Sequence, residues 1–214
     1  MATDEALLLT AAQRGFPLLR IYGWDRPSAS IGYFQRFPVH LAGTHAVVRR
    51  PTGGGLVYHG DDTTYTVVAP SDHPLHTRPV GDAYCLLHGA VAVALRTAPN
   101  GGSAAPELAA PEPAGTAAAA QQTRAYECFQ NPVAGDVIAG GRKLAGAAQR
   151  RTKWGMLHQG SIAAVVSADR MREGFHEAFG AQFEPYRMRP EELALAEQLL
   201  RDKYATDRWN RRVG

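Results

Sequence analysis

The chain has 214 residues, 45% of them hydrophobic and 20% charged, which suits one catalytic domain with a single core and excludes a membrane span, because no apolar run approaches about 18 residues. Its net charge of +3 comes from dispersed arginines, with small groups at Arg150 and Arg151 and at Arg211 and Arg212, a balance that fits an acidic partner and not a nucleic acid. Two cysteines, Cys85 and Cys128, exclude a disulfide scaffold, and the opening MATDEALLL lacks a signal peptide's basic n-region, so the expected compartment is the cytoplasm.

In chain order, Thr3 and Asp4 are candidate caps for a helix carrying Leu8, Ala11 and Ala12 and ending at Gly15. Short apolar runs at Leu18 to Tyr22, Ser30 to Phe34, Ala46 to Arg49 and Thr63 to Val68 predict strands separated by turns. A helix is predicted over Asp82 to Arg96, with Cys85 in its core-facing part. From Ala98 to Gln122, seventeen of twenty-five residues are Ala, Pro or Gly, which predicts a mobile insert within one domain.

Beyond the insert, Gly140 and Gly141 suit the positive φ of a two-residue turn, so a hairpin is predicted from Asp136 to Ile138 and Lys143 to Ala148. Met156 to Val166 reads as a strand, Ser167 as the cap of a helix to Phe179, and Pro190 as the start of a last helix with Leu193, Ala196, Leu200 and Tyr204 on one stripe. Strands and helices in mixed order, without βαβ alternation, predict an α+β class with a mixed or antiparallel sheet packed by helices.

Three clusters carry chemistry. In Arg49-Arg50-Pro51-Thr52-Gly53-Gly54-Gly55, glycines let backbone amides approach a ligand while arginines supply charge; the run is neither a P-loop nor a dinucleotide fingerprint, and by itself also reads as a surface turn. Lys143, between glycines after a tight turn, can polarise a thioester or acyl phosphate carbonyl if it points inward, or is an exposed hairpin lysine if it does not. Cys128, in Glu127-Cys128-Phe129-Gln130-Asn131-Pro132, is a nucleophile if a cation lowers its pKa, or a small buried apolar residue. His73 and His76 lack a third ligand nearby, so no metal site is expected, and Arg211 and Arg212 read as solvated charge.

Together RRPTGGG, a GRKLAG lysine and a following LHQGSI strand resemble the biotin and lipoate protein ligase superfamily, within it the lipoate protein ligase and octanoyltransferase branch. The resemblance, which extends from DEALLL through IYGWDRPSASIGYFQ to KYATDRWN, implies an acyl pocket roofed by the glycine loop. It makes Arg50, Thr52, Gly53, Gly54, Gly55 and His59 substrate-binding, with Lys143 at the acyl carbonyl and Gly146 amides near the oxyanion. CFxxP at Cys128, fifteen residues before Lys143, is similar to the cysteine octanoyltransferases, in which the thiol takes the acyl group from octanoyl acyl carrier protein without a cofactor.

The partners implied are lipoyl domains of 2-oxoacid dehydrogenases or glycine cleavage H protein. Asp136 is similar instead to the acidic nucleotide-site residue of ATP-dependent lipoate ligases, for which the cofactor is Mg-ATP. A non-catalytic lipoyl-domain binder is the third reading, and Lys143 argues against it. His158 and Gln159 are expected to have no catalytic role. Relatives also carry a strand ahead of DEALLL, missing or trimmed here, and the long ligases an accessory C-terminal domain that this chain lacks.

Overall fold

The computed structural model describes residues 1–96, 105–110, 129 and 131–212. Two strands organise it, Thr63–Pro70 (β5) and Gly155–Ile162 (β9), paired antiparallel with every residue buried. Because side chains alternate across a strand, Tyr65, Val67 and Met156 feed one core while Val68 and Leu157 feed another on the opposite face.

On one edge β5 pairs with Leu18–Tyr22 (β1); on the other, β9 pairs with Arg142–Thr152 (β8), then Val137–Ala139 (β7) and Glu107–Leu108 (β6), all antiparallel. A second sheet joins Ser28–Ile31 (β2) to Ala46–Arg49 (β3) in parallel and to Val57–His59 (β4) antiparallel. The α+β class with a mixed sheet architecture is therefore correct. The predicted strand at Ser30 to Phe34 instead starts at Ser28 and stops at Ile31, because the chain turns under the glycine loop. There Tyr33 N donates to the Thr52 carbonyl at 2.8 Å, and a Cβ on Gly32 would lie 1.9 Å from the Gly54 oxygen.

Helices Val80–Arg96 (α4) and Ala168–Phe179 (α5) cover the larger core, touching where Gly174 lets the Ala90 carbonyl come close. Ser167 caps α5 by accepting from Arg170 N, and Gly180 ends it at φ 67°, both as the residue types require. Cys85 is exposed, not core: Ala83, Leu87 and Val91 hold the buried stripe of α4, and Cys85 falls beside it.

The opposite core is covered by Ala2–Leu9 (α1) and Ala11–Arg14 (α2), which meet the helix Pro190–Leu199 (α6). Met1, not Thr3 or Asp4, holds the N-cap position of α1, without a side-chain cap bond, and Asp4 turns into the protein; Gly15 ends α2 in the left-handed region as expected. In α6 and the π-helical turn Leu200–Tyr204 the predicted apolar stripe is only half right: Leu193 and Leu200 are exposed, Tyr204 is buried. The buried residue of α6 is Glu192, bound by Thr10, Arg14 and Tyr186, because an ion pair with hydrogen bonds fills the contact.

The hairpin turn at Gly140 and Gly141 has φ 54° and 76° and joins β7 to β8 as predicted. Of the Ala98 to Gln122 insert, 105–110 are described and supply β6; its other residues lie outside the described ones.

Candidate active site

Where the second sheet meets β8 and β9, a narrow cleft opens to solvent. Its lining includes Arg50, His59, Lys143 and Gly146 among the predicted residues, with Phe129 and Val57 supplying apolar wall.

Lys143 enters from the start of β8. Its Nζ lies 2.7 Å from Asp136 Oδ2, the carboxylate fully buried and the ammonium nearly so. Asp136 is occupied on both oxygens: Tyr84 Oη donates to Oδ1 at 2.6 Å and Val133 N to Oδ2 at 2.7 Å. Tyr84 also accepts from Ala147 N, so it ties the carboxylate to β8, and burial, then the neighbouring Asp136 charge, raises its phenol's pKa. Gly146 leaves room for the lysine, since a Cβ there would lie 2.6 Å from Lys143 Nζ. The ammonium thus faces the cleft with one anionic partner behind it and the Phe129 ring 5.7 Å away.

The two loop arginines divide their work. Arg49, fully buried, donates to the main-chain carbonyls of Gly32, Tyr33, Gln35, Trp209, Asn210 and Arg212, which fastens the C-terminal segment under the loop. Arg212 is therefore more than solvated charge: its guanidinium also lies 4.1 Å from the Tyr33 ring. Arg50 donates to the Gly53 and Gly55 carbonyls and to Ser30, fixing the glycine loop from inside. Gly54 has φ 85°, a left-handed conformation that favours glycine. Thr52 donates to Gln159 Oε1 at 2.9 Å, and Gln159 passes the link to Asp4.

His59 is held on both sides, with Nε2 2.7 Å from Ser30 Oγ and Nδ1 2.7 Å from Asp62 Oδ2. Burial, opposed by Asp62, lowers its pKa. Ser30, Asp62, Tyr84 and Gln159 were not singled out as site residues from sequence; a hydroxyl on β2 and an acid three residues after a loop histidine carry no motif. His158, by contrast, lies in the core against Tyr65, Tyr84 and His88, whereas Gln159 supports the loop. Cys128 lies outside the described residues.

Among the described residues no group of three or more His, Cys, Asp or Glu is arranged to hold a metal ion. His73 caps the short helix Pro74–Thr77 (α3) by accepting from Leu75 N. No helix among the described residues is long and apolar enough to cross a membrane.

Residues 1–189 match the family model of the lipoyl protein ligase A/B catalytic domain. The chain belongs to that family. Within it, the chain is similar to the octanoyltransferase LipM of Kyrpidia tusciae, 35% identical with 99% of this chain and 93% of the relative covered. It is also similar to LipM of Bacillus subtilis, 29% identical over 98% and 92%. Among solved structures of this fold, a T. acidophilum protein with bound lipoic acid superposes with a TM-score of 0.74 at 25% identity, covering 98% of this chain and 91% of that one. Family membership agrees with the glycine loop, lysine hairpin and cleft described above.

Proposed function

We propose that this chain transfers an octanoyl group from octanoyl acyl carrier protein to a specific lysine of lipoyl carrier domains, through a thioester on Cys128. Those domains belong to 2-oxoacid dehydrogenases or glycine cleavage H protein, in the cytoplasm. The observation that carries the reading is the Lys143 ammonium at the cleft, backed by Asp136 and 5.7 Å from the ring of Phe129, the residue next to Cys128 in the chain. The names of its family relatives support it.

The Cys128 thiolate attacks the donor carbonyl, the donor's C–S bond breaks, and the carrier thiol leaves. Lys143 offsets the charge that develops on the oxygen, and apolar wall at Val57 and Phe129 takes the acyl tail. The acceptor amine then attacks the enzyme thioester. No nucleotide enters. That Asp136 is buried with its oxygens engaged by Lys143, Tyr84 and Val133 N favours this over an acyl adenylate route, which assigns it to nucleotide and magnesium. Apo lipoyl domain incubated with octanoyl acyl carrier protein should acquire the octanoyl mass, and with lipoate, ATP and magnesium it should not. The reverse pattern would replace this reading with the ligase.

A further inference from the structure

The KYATDRWN run, Lys203 to Asn210, has no part in the chemistry above, yet its last two side chains reach the strand from which the glycine loop springs. That strand, β3, is an edge of the second sheet and is bonded to β2 on one side only. At Arg49, its last residue, side chains fill the open side. Arg49 N donates to Asn210 Oδ1 at 2.9 Å, and Trp209 Nε1 donates to the Arg49 carbonyl at 3.0 Å. Trp209 and Asn210 thus stand where the backbone of a neighbouring strand would otherwise pair.

We infer that Trp209 and Asn210 are positioning residues for the glycine loop and act on it through Arg49. The inference rests on the reading of that loop as the roof of the acyl pocket. Arg49 is fully buried, and its guanidinium donates to main-chain carbonyls on two sides, those of Trp209, Asn210 and Arg212 and those of Gly32, Tyr33 and Gln35. A buried cation keeps its place only while its donors are filled, so the two sets of carbonyls hold each other in register.

The turn at Gly32 to Gln35 bears directly on the loop. Tyr33 N donates to the Thr52 carbonyl at 2.8 Å, and Gly32 packs so closely on Gly53 and Gly54 that any side chain there would strike their backbone. A shift of the turn therefore shifts the loop. Arg50 sets the loop's internal shape through the Gly53 and Gly55 carbonyls, whereas the clamp at Arg49 fixes the stem on which that shape stands.

The clamp is mounted in turn on the body of the protein. Thr206 caps the short helix Asp207–Asn210 by accepting from Trp209 N, and Asn210 Nδ2 donates to the Tyr204 carbonyl at 2.8 Å. Tyr204 Oη and Lys203 Nζ both bind the Glu5 carboxylate of α1, at 2.8 and 2.6 Å, and Lys203 Nζ lies 4.0 Å from the centre of the Trp209 ring. Contacts run without a break from α1 through Tyr204, Asn210 and Arg49 to Thr52 and Gly54.

The test compares wild type with Asn210→Ala and Trp209→Phe, each of which removes one bond to the Arg49 main chain, and with Arg208→Ala, an exposed neighbour in the same segment. Amide hydrogen exchange is read at Tyr33 and Arg50, which bond the Thr52 and Ile31 carbonyls, and at Val67 in the buried strand β5 as a core reference. KM and kcat are measured for octanoyl acyl carrier protein with apo lipoyl domain saturating. The clamp predicts that Asn210→Ala and Trp209→Phe speed exchange at Tyr33 and Arg50 by about tenfold and leave Val67 unchanged. KM for the octanoyl donor should rise by about tenfold with kcat held within about twofold, the pattern of weakened binding and not of lost protein. Arg208→Ala should change none of these.

Exchange unchanged at Tyr33 and Arg50, or raised equally at Val67 with kcat falling at constant KM, is the behaviour of a mere tail anchor and overturns the clamp. Faster exchange at the loop with KM unmoved keeps the clamp and overturns the loop as acyl roof. A wild type that transfers no octanoyl overturns the octanoyl reading, and the exchange measurement then decides the clamp by itself.

Discussion

The Lys143 ammonium and the Asp136 carboxylate meet at 2.7 Å across one hairpin, with Asp136 just ahead of β7 and Lys143 near the start of β8. The Gly140–Gly141 turn pairs Lys143 with Ile138, two residues from Asp136, and the missing side chain of Gly146 leaves the space the ammonium fills. A short sequence interval thus builds a buried ion pair whose cation faces a cleft.

Lys143→Met should lower octanoyl transfer by about a hundredfold to a thousandfold, the cost of losing one donor to a developing oxyanion. It also strands the fully buried Asp136 carboxylate, so stability should fall by about 3 to 5 kcal/mol. Adding Asp136→Asn should recover most of that stability and none of the activity. Urea denaturation beside a transfer assay checks both; near-normal turnover in Lys143→Met would mean that the acyl carbonyl sits elsewhere.

The histidines set an acid limit on the fold. Burial drops the His88 pKa from 6.5 to about 4, with Nδ1 bonded to the Gly135 carbonyl and Nε2 buried without a hydrogen-bond partner among the described residues. His158, in contact with it, is lowered by burial and then by the His88 charge. A histidine with a depressed folded pKa takes up its proton more readily when unfolded. Its stabilisation is therefore full above 6.5 and is lost as pH falls toward 4, about 3 kcal/mol for His88. Denaturant unfolding at pH 7.5 and 4.5 should show the drop, and His88→Gln should lose about 3 kcal/mol less across the window. An unchanged slope in His88→Gln would place the acid sensitivity on other groups.

Local chemistry was the legible part of the sequence. Gly140 and Gly141, Ser167 and Gly15 each need a particular backbone conformation or supply a particular cap, and each was found where its residue type places it. Apolar spacing located β1, β3 and α4 for the same reason. What failed depends on contacts between distant segments. Glu192 is buried because Arg14 and Thr10, about 180 positions away, satisfy it, so the apolar stripe of α6 misjudged the inward face. Arg49 and Arg50 look equivalent in sequence, yet one binds the C-terminal segment and the other the glycine loop. Ser30 reaches His59 only after β2 pairs with β4.

The central claim, an acyl group carried on Cys128, is tested most directly by intact-protein mass after brief incubation with octanoyl acyl carrier protein and no acceptor. The wild-type chain should gain the mass of one octanoyl group, the gain should be reversed by hydroxylamine, and Cys128→Ala should show neither gain nor transfer. A Cys128→Ala protein that still modifies apo lipoyl domain, in a reaction requiring ATP and magnesium, would contradict the thioester route.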